Sequence, residues 1–384
     1  MGRDRTAVSV SFLAFGVTVG GLIPRVPALK DHLHLTDGQV GLALLGVSLG
    51  GITGALVSRV VINRGARFFI RAGTILLCAA AVGPGLAANL IELMASLFLI
   101  GFFWGFIDVL ENALGAQLER SAGKPLINGL HGFWSLGAFA GSLVAGGAAY
   151  IGVAPLAQFI STGLVVALVS AWFLRGLPEI ATVDAMPGVG PGTIALTAAV
   201  VSLVAMSFAG IIAEGGTSDW SALFLREVSH ANPGVAAAGF SGFSIAAMLV
   251  RFRADLVTAR IGRAALARLG AAMAVGGLVL AIAFPLLPVA IAGFTIVGMG
   301  TAVVLPLAFA AGANIGHTGT SLALVMAAAY AGTIAGPPLI GTAADHIGLR
   351  FAMAIPLVAA LAVLLLAGNL ATNRAVKVLR PVRR

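Results

Sequence analysis

The stretch Trp104–Glu119, WGFIDVLENALGAQLE, carries Asp108, Glu111 and Asn112 inside an otherwise apolar run. At about 3.6 residues per turn, Trp104, Asp108, Asn112 and Glu119 fall along one stripe of a helix, with Glu111 beside it. An acid in hydrocarbon costs roughly 3 kcal/mol on insertion scales, so it ordinarily faces other helices or a wet cavity. Two acids and an amide on one arc of one helix therefore predict a polar pathway through a membrane bundle.

The rest of the chain has the composition of such a bundle. Of its 384 residues 59% are hydrophobic and 10% charged, and the mean hydropathy is +1.04. A soluble domain carries roughly 25% charged residues, so most of this surface faces lipid and a soluble enzyme is excluded. At about 20 apolar residues per crossing the length accommodates about twelve spans. The expected fold is an all-α integral membrane protein of twelve transmembrane helices.

The formal charge of +9 would raise nucleic acid as a partner for a soluble protein. Its placement says otherwise. With twelve spans and a cytoplasmic amino terminus, all of the 23 basic residues except Arg25, Lys30, Arg226 and Arg350 fall on the cytoplasmic side. That bias is the positive-inside pattern, which predicts a multi-pass protein of a bacterial inner membrane with both termini cytoplasmic. The basic tail, 371–384, is expected against anionic headgroups. Cys78 is the single cysteine, so neither an intramolecular disulfide nor a cysteine-based metal site is available.

Hydropathy and turn signals predict helices over 7–28, 38–60, 68–88, 92–116, 127–151 and 153–175. The seventh starts near 194 and is interrupted at Gly215-Gly216. The rest cover 234–257, 266–284, 287–312, 320–343 and 350–370. Helix 1 is expected to leave the membrane at Pro24-Arg25-Val26-Pro27, Thr36 or Asp37 to cap helix 2, and Pro337-Pro338 to kink helix 11. The Pro- and Gly-rich segment 177–193 reads as a cytoplasmic linker between an amino-terminal half, 1–176, and a carboxy-terminal half, 194–370.

The two halves repeat. At an offset of 197, Gly65, Arg71 and Gly73 fall on Gly262, Arg268 and Gly270; at an offset of 195, Gly137, Gly141 and Gly146 fall on Gly332, Gly336 and Gly341. Two parallel six-helix halves with a site at their interface is a transporter architecture.

These features resemble the major facilitator superfamily across essentially the whole chain. Its loop signature after span 2 is similar to Arg251-Phe252-Arg253-Ala254-Asp255 with Arg260-Ile261-Gly262-Arg263 in the second half. In the first half it is similar to Arg59, Asn63, Gly65 and Arg67, with Ser58 where an acid is usual. Asp108-x-x-x-Asn112 looks like the acid-x-x-x-Asn of the fucose-permease-like branch. LHGFWSLGAFAG (130–141), AEGGTSDWSALFL (213–225) and YAGTIAGPPLIG (330–341) look like bacterial members near it. The resemblance implies a proton role for Asp108 and a substrate contact for Asn112. An acid of the fucose permease's span 1 has no counterpart between Val8 and Ile23.

The candidate substrate and proton residues are Asp108, Glu111, Asn112, Trp104, His131, Trp134, Glu214, Asp219 and Trp220. Protonation of Asp108 removes the cost of carrying a charge through a dry closed state, and Glu111 is placed to share the proton. His131 titrates near neutrality and suits a relay. Trp104 and Trp134 offer stacking faces. Glu214, Asp219 and Trp220 form a second-half polar cluster beside the expected helix break. Arg59, Gly65, Arg67, Arg251, Asp255, Arg260 and Arg263 are read as gating and topology residues, with Arg251 and Asp255 four apart and able to meet on one helix face.

The function expected is secondary active transport of a small polar solute, a sugar in the first instance, by alternating access and proton symport. The protein is read as a monomer whose partners are solute, protons and the bilayer. No Walker loop is present, and neither a cofactor nor a metal is expected. Two rivals stand beside this reading: proton-driven efflux of amphipathic compounds, to whose glycine-proline motif GTIAGPPLIG is similar, and a membrane sensor without flux.

Overall fold

Apolar runs of this length have one stable arrangement in lipid, a bundle of helices whose backbone groups are satisfied internally. The computed structural model describes residues 2–123, 126–179, 197–315 and 320–370. Among them twelve helices are long and apolar enough to cross a membrane. Spans 1 to 6 are Asp4–Leu33, Asp37–Val61, Ala66–Leu86, Leu90–Ala122, Ile127–Tyr150 and Pro155–Gly176. Spans 7 to 12 are Ala198–Glu227, Pro233–Ile261, Arg263–Ala283, Leu287–Ala313, Thr320–Ile347 and Leu349–Leu370. The alternation of spans gathers Arg59, Arg64, Arg67, Arg260 and Arg263 at one end of the bundle, called here the basic end. The opposite end is marked by Lys30. Most of the expected linker and all of the tail 371–384 lie outside the described residues. Glu179, within the first residues of the linker, pairs with Arg67 at 3.1 Å and accepts from Gln117 through its carbonyl at 3.0 Å.

Local chemistry starts the helices where the sequence predicts. Thr36 caps span 2 in a reciprocal box with Gln39, and Asn89 caps span 4 through the Glu92 amide at 3.0 Å. Three boundaries differ from expectation. Span 1 does not end at Pro24-Arg25-Val26-Pro27. Each proline occupies an opening position of a helical segment, where its missing N–H costs nothing, and the helix runs on to Leu33. Span 7 is not interrupted at Gly215-Gly216, and helix continues from Ala198 to Glu227. Gly216 is buried, its missing side chain leaving room for Ile340 and Pro356, so packing outweighs the roughly 1 kcal/mol helix penalty of a glycine. Span 10, expected unbroken, turns at Ala302-Val303 between Leu287–Thr301 and Val304–Ala313. Pro306 lacks the N–H that the Ala302 carbonyl would need. The helix of span 11 continues through both Pro337 and Pro338.

Each half is built on backbone-to-backbone contact. A Cβ on Gly50 or Gly54 would collide with the carbonyls of Phe98 or Phe102 on span 4, and one on Gly101 or Gly105 with those of Val47 or Gly51 on span 2. Spans 1 and 5 meet the same way, Gly137 and Gly141 against the carbonyls of Leu13 and Val17. Small residues are what let membrane helices approach this closely. The sequence repeat reappears as geometry. Gly65 and Gly262 both take positive φ, +98° and +83°, at the starts of spans 3 and 9. Gly137 faces span 1 and its equivalent Gly332 faces span 7. Gly146 faces span 8 through Ala237, and Gly341 faces span 2 through Asp37.

The halves meet along two seams. Span 5 lies on span 8 through Asn128–Asp255 at 2.5 Å, Ser135–Arg251 at 2.7 Å and Ser142–Ser241 at 2.7 Å. Span 2 lies on span 11 through Thr36–Asp345 at 3.0 Å and Ser48 donating to the Thr333 carbonyl at 2.9 Å.

Candidate functional site

Between the seams lies a cavity of ≈ 350 Å³, walled by spans 1, 2, 4 and 5 on one side and 7 and 11 on the other. At one limit is Lys30, whose ammonium reaches Asp37 at 2.6 Å and Glu227 at 2.5 Å. Since Glu227 belongs to span 7, this triad ties the two halves together at that end. Toward the basic end the wall becomes polar.

Asp108 faces the cavity from span 4. Asn112, one turn on, donates to its carboxylate at 3.0 Å and to its carbonyl at 2.8 Å. The Asn112 amide oxygen meets His131 Nε2 at 3.2 Å, a contact that requires the tautomer with the proton on Nε2. His131 is also held edge-on by Phe12, with centroids 5.4 Å apart. Two members of the stripe read from the sequence, Asp108 and Asn112, thus join His131 of span 5 in a hydrogen-bonded row with its acid at the cavity, while Glu119 turns to accept from the Leu126 and Ile127 amides at 2.7 and 3.1 Å.

Across the cavity Glu214 accepts from Arg251 at 2.8 Å, with side chains only 16% and 14% exposed. The other arm of Arg251 donates to Ser135 at 2.7 Å, and its guanidinium lies 5.6 Å from the Trp134 ring centroid. Arg251 therefore joins span 8 to spans 7 and 5. Removing one partner from a buried ion pair costs about 3–5 kcal/mol, which makes this cluster a fixed feature of the state seen here. Arg251 does not meet Asp255 as the four-residue spacing suggests, since Asp255 turns outward to Asn128 and a nearer carboxylate faces Arg251 from span 7. Asp219 lines the cavity and accepts from Ser218 at 3.0 Å. Among the described residues no lysine or arginine pairs with Asp108 or Asp219.

Trp104 and Trp134 both line the cavity, with Phe15 edge-on to each at 5.3 Å and 6.2 Å. Two other candidates lie elsewhere. Trp220 is fully buried in the second-half core, packed away from the cavity because an unbroken span 7 turns it inward. Glu111 is not among the residues lining the cavity. It is 1% exposed inside the first half, where Ser11 of span 1 donates to it, and its second oxygen has no partner among the described residues. Of the gating candidates, Arg59, Arg67, Arg260 and Arg263 are exposed at the basic end.

Sequence reasoning missed Lys30, Ser48, Ser135 and Tyr330. Tyr330, one of only two tyrosines, stands out by rarity alone. Single serines within glycine-rich spans carry no signal.

With this geometry in place, three comparisons bear on descent. The family model described as Major Facilitator Superfamily matches residues 8–320. An uncharacterized transporter, y4wD, of Sinorhizobium fredii is 31% identical over 89% of this chain and 92% of its own. Membrane protein MosC of Rhizobium meliloti is 25% identical over 91% of this chain and 85% of its own. Among solved structures, a variant of the nucleoside transporter NupG superposes with a TM-score of 0.73 at 12% identity, over 97% of this chain and 100% of that one. A bacterial homolog of the human lysosomal transporter Spinster, inward-facing and occupied, gives 0.68 at 16% identity, over 96% of each chain. At such identities the structures establish the fold alone. The matched family model, covering both the paired glycine helices and the acid-bearing span 4, makes this chain a membrane transporter of the Major Facilitator Superfamily.

Proposed function

We propose that the chain carries a small solute through the cavity between its halves, driven by protons that load at Asp108. The observation that carries this is an acid that faces the cavity with no cation paired to it among the described residues, backed by the Asn112–His131 row. A carboxylate so placed is expensive when charged in a closed state and cheap when protonated, so proton occupancy favours passage through the closed state. Alternating access then requires the Lys30–Asp37–Glu227 tie to break as the basic end closes. With the basic end taken as cytoplasmic, this conformation is sealed toward the outside.

The wall bears on the solute. A sugar presents hydroxyls on every side, and each one left against hydrocarbon forfeits its hydrogen bonds to water. The aliphatic wall toward Lys30 therefore favours an amphipathic solute over the sugar expected from the resemblance. The names of the neighbours add nothing here, since a nucleoside transporter at 12% identity shares the fold only.

The test is electrical. Proteoliposomes on a solid-supported membrane, challenged with a solute that raises the melting point, are expected to show a transport current that grows with the proton gradient. Asp108→Asn should abolish the gradient dependence while leaving solute binding measurable. Equal gradient-driven currents from both proteins would sink the proton role.

A further inference from the structure

A proton loaded on Asp108 turns an acceptor into a donor, and the new O–H needs an oxygen to receive it. The side chain bonded to Asp108 is not that acceptor. Asn112 presents its amide N–H to the carboxylate at 3.0 Å, and its amide oxygen is taken by His131 Nε2 at 3.2 Å. While the basic end is open, water can accept the proton. Once that end closes, the O–H must find a protein oxygen or go unpaired, which costs about tenfold in the conformational equilibrium.

The second half offers such an oxygen at the right depth. Ser48 of span 2 bonds the Thr333 carbonyl, so Tyr330, three residues nearer the basic end on span 11, comes level with Gly51. Gly105 of span 4 packs against the Gly51 carbonyl, and Asp108 lies one turn beyond Gly105. Asp108 and Tyr330 both line the cavity, from opposite halves. Cα–Cβ bonds tilt toward a helix's N-terminus, which is the basic end for span 11 and the opposite end for span 4, so each side chain leans toward the other's level. The Tyr330 hydroxyl has no hydrogen-bond partner among the described residues. The other groups around this space are engaged or distant. Ser48 and Thr333 lie farther out and are bonded to backbone carbonyls. Glu214 holds Arg251, and Glu111 meets Ser11 inside the first half. Asp219 lies two turns from Glu227, in the aliphatic sleeve toward Lys30, and Arg59 is exposed at the basic end.

We propose that Tyr330 closes over Asp108 from the opposite half, its hydroxyl oxygen accepting the carboxyl proton, so that the loaded acid itself forms part of the gate at the basic end. A charged Asp108 would accept from the same phenol but would bring its charge into the closed space. Closure is therefore favoured with the proton aboard. The role rests on Asp108 being the proton site.

Pulsed dipolar distances between spin labels on Arg120→Cys and Asn314→Cys of the full-length protein in lipid test this. Both positions are exposed at the basic end, on spans 4 and 10, and Cys78 is buried. Acidification is expected to populate a shorter distance. Tyr330→Phe keeps the ring and removes the hydroxyl, and should lower the ratio of that population to the open one about tenfold. At alkaline pH, where the open conformation dominates, the two proteins should agree. Equal acid-induced closure in both overturns the role of Tyr330 and leaves the proton role of Asp108 standing. A Tyr330→Phe deficit of the same size at every pH also overturns it and assigns the hydroxyl to packing. No acid-induced closure in the parent protein, or closure that survives Asp108→Asn, removes the proton role and that of Tyr330 with it.

Discussion

Replacing Lys30 with alanine should open the end of the bundle that it closes. Its ammonium sits 2.6 Å from Asp37 and 2.5 Å from Glu227, and the three side chains are 14%, 13% and 31% exposed. An exposed ion pair contributes about 0–1 kcal/mol, and breaking a buried one costs about 3–5. This triad lies between those limits. The alanine variant also leaves two carboxylates from opposite halves without their shared cation. A shift of about 2 kcal/mol against the closed end follows, some thirtyfold in the conformational equilibrium. Spin labels on His32→Cys and His346→Cys report it, because both positions are exposed at that end on different halves, whereas Cys78 is buried and stays unlabelled. Pulsed dipolar distances should lengthen and broaden in Lys30→Ala. Adding Glu227→Gln should restore part of the closed population by removing one of the facing charges. An unchanged distance distribution in Lys30→Ala would refute the reasoning, since the halves would then be held by something other than this charge.

Two further outcomes separate packing from binding. Trp220→Phe should cost roughly 1–3 kcal/mol of stability, read as a lowered melting point, because the indole fills the second-half core, while the proton-driven transport current of the folded protein stays the same. Gly54→Leu should prevent a monodisperse protein from forming, since its side chain would collide with the Phe102 carbonyl of span 4. Size-exclusion chromatography of the solubilised protein checks this.

The features legible from sequence were those with a local or compositional cause. Twelve apolar lengths announce twelve spans because hydrocarbon sets their length. Gly65 and Gly262 were found as a repeat, and the reason is backbone geometry, since both take a positive φ that other residues avoid. Asp108, Asn112 and His131 were legible because acids, amides and imidazoles are rare within apolar spans. What the sequence hides is tertiary choice. Arg251 has an acid four residues away and takes Glu214, 37 residues earlier in the chain, because span 7 brings that carboxylate nearer. Trp134 and Trp220 look alike in sequence, yet one lines the cavity and the other fills a core. The aliphatic sleeve was invisible for a simpler reason: leucine facing a cavity reads the same as leucine facing lipid.

The glycine contacts between spans 2 and 4 carry a consequence for how such a protein diversifies. Gly50, Gly54, Gly101 and Gly105 hold the two helices together through main chain, so the joint depends little on which side chains the other positions bear. Leu44, Val47 and Ile52 of the same span face the cavity instead. Lineages can therefore exchange wall residues, and with them the molecules accepted, while the joint that braces the first half stays untouched. Substrate range can drift over generations without the protein passing through an unfolded intermediate form.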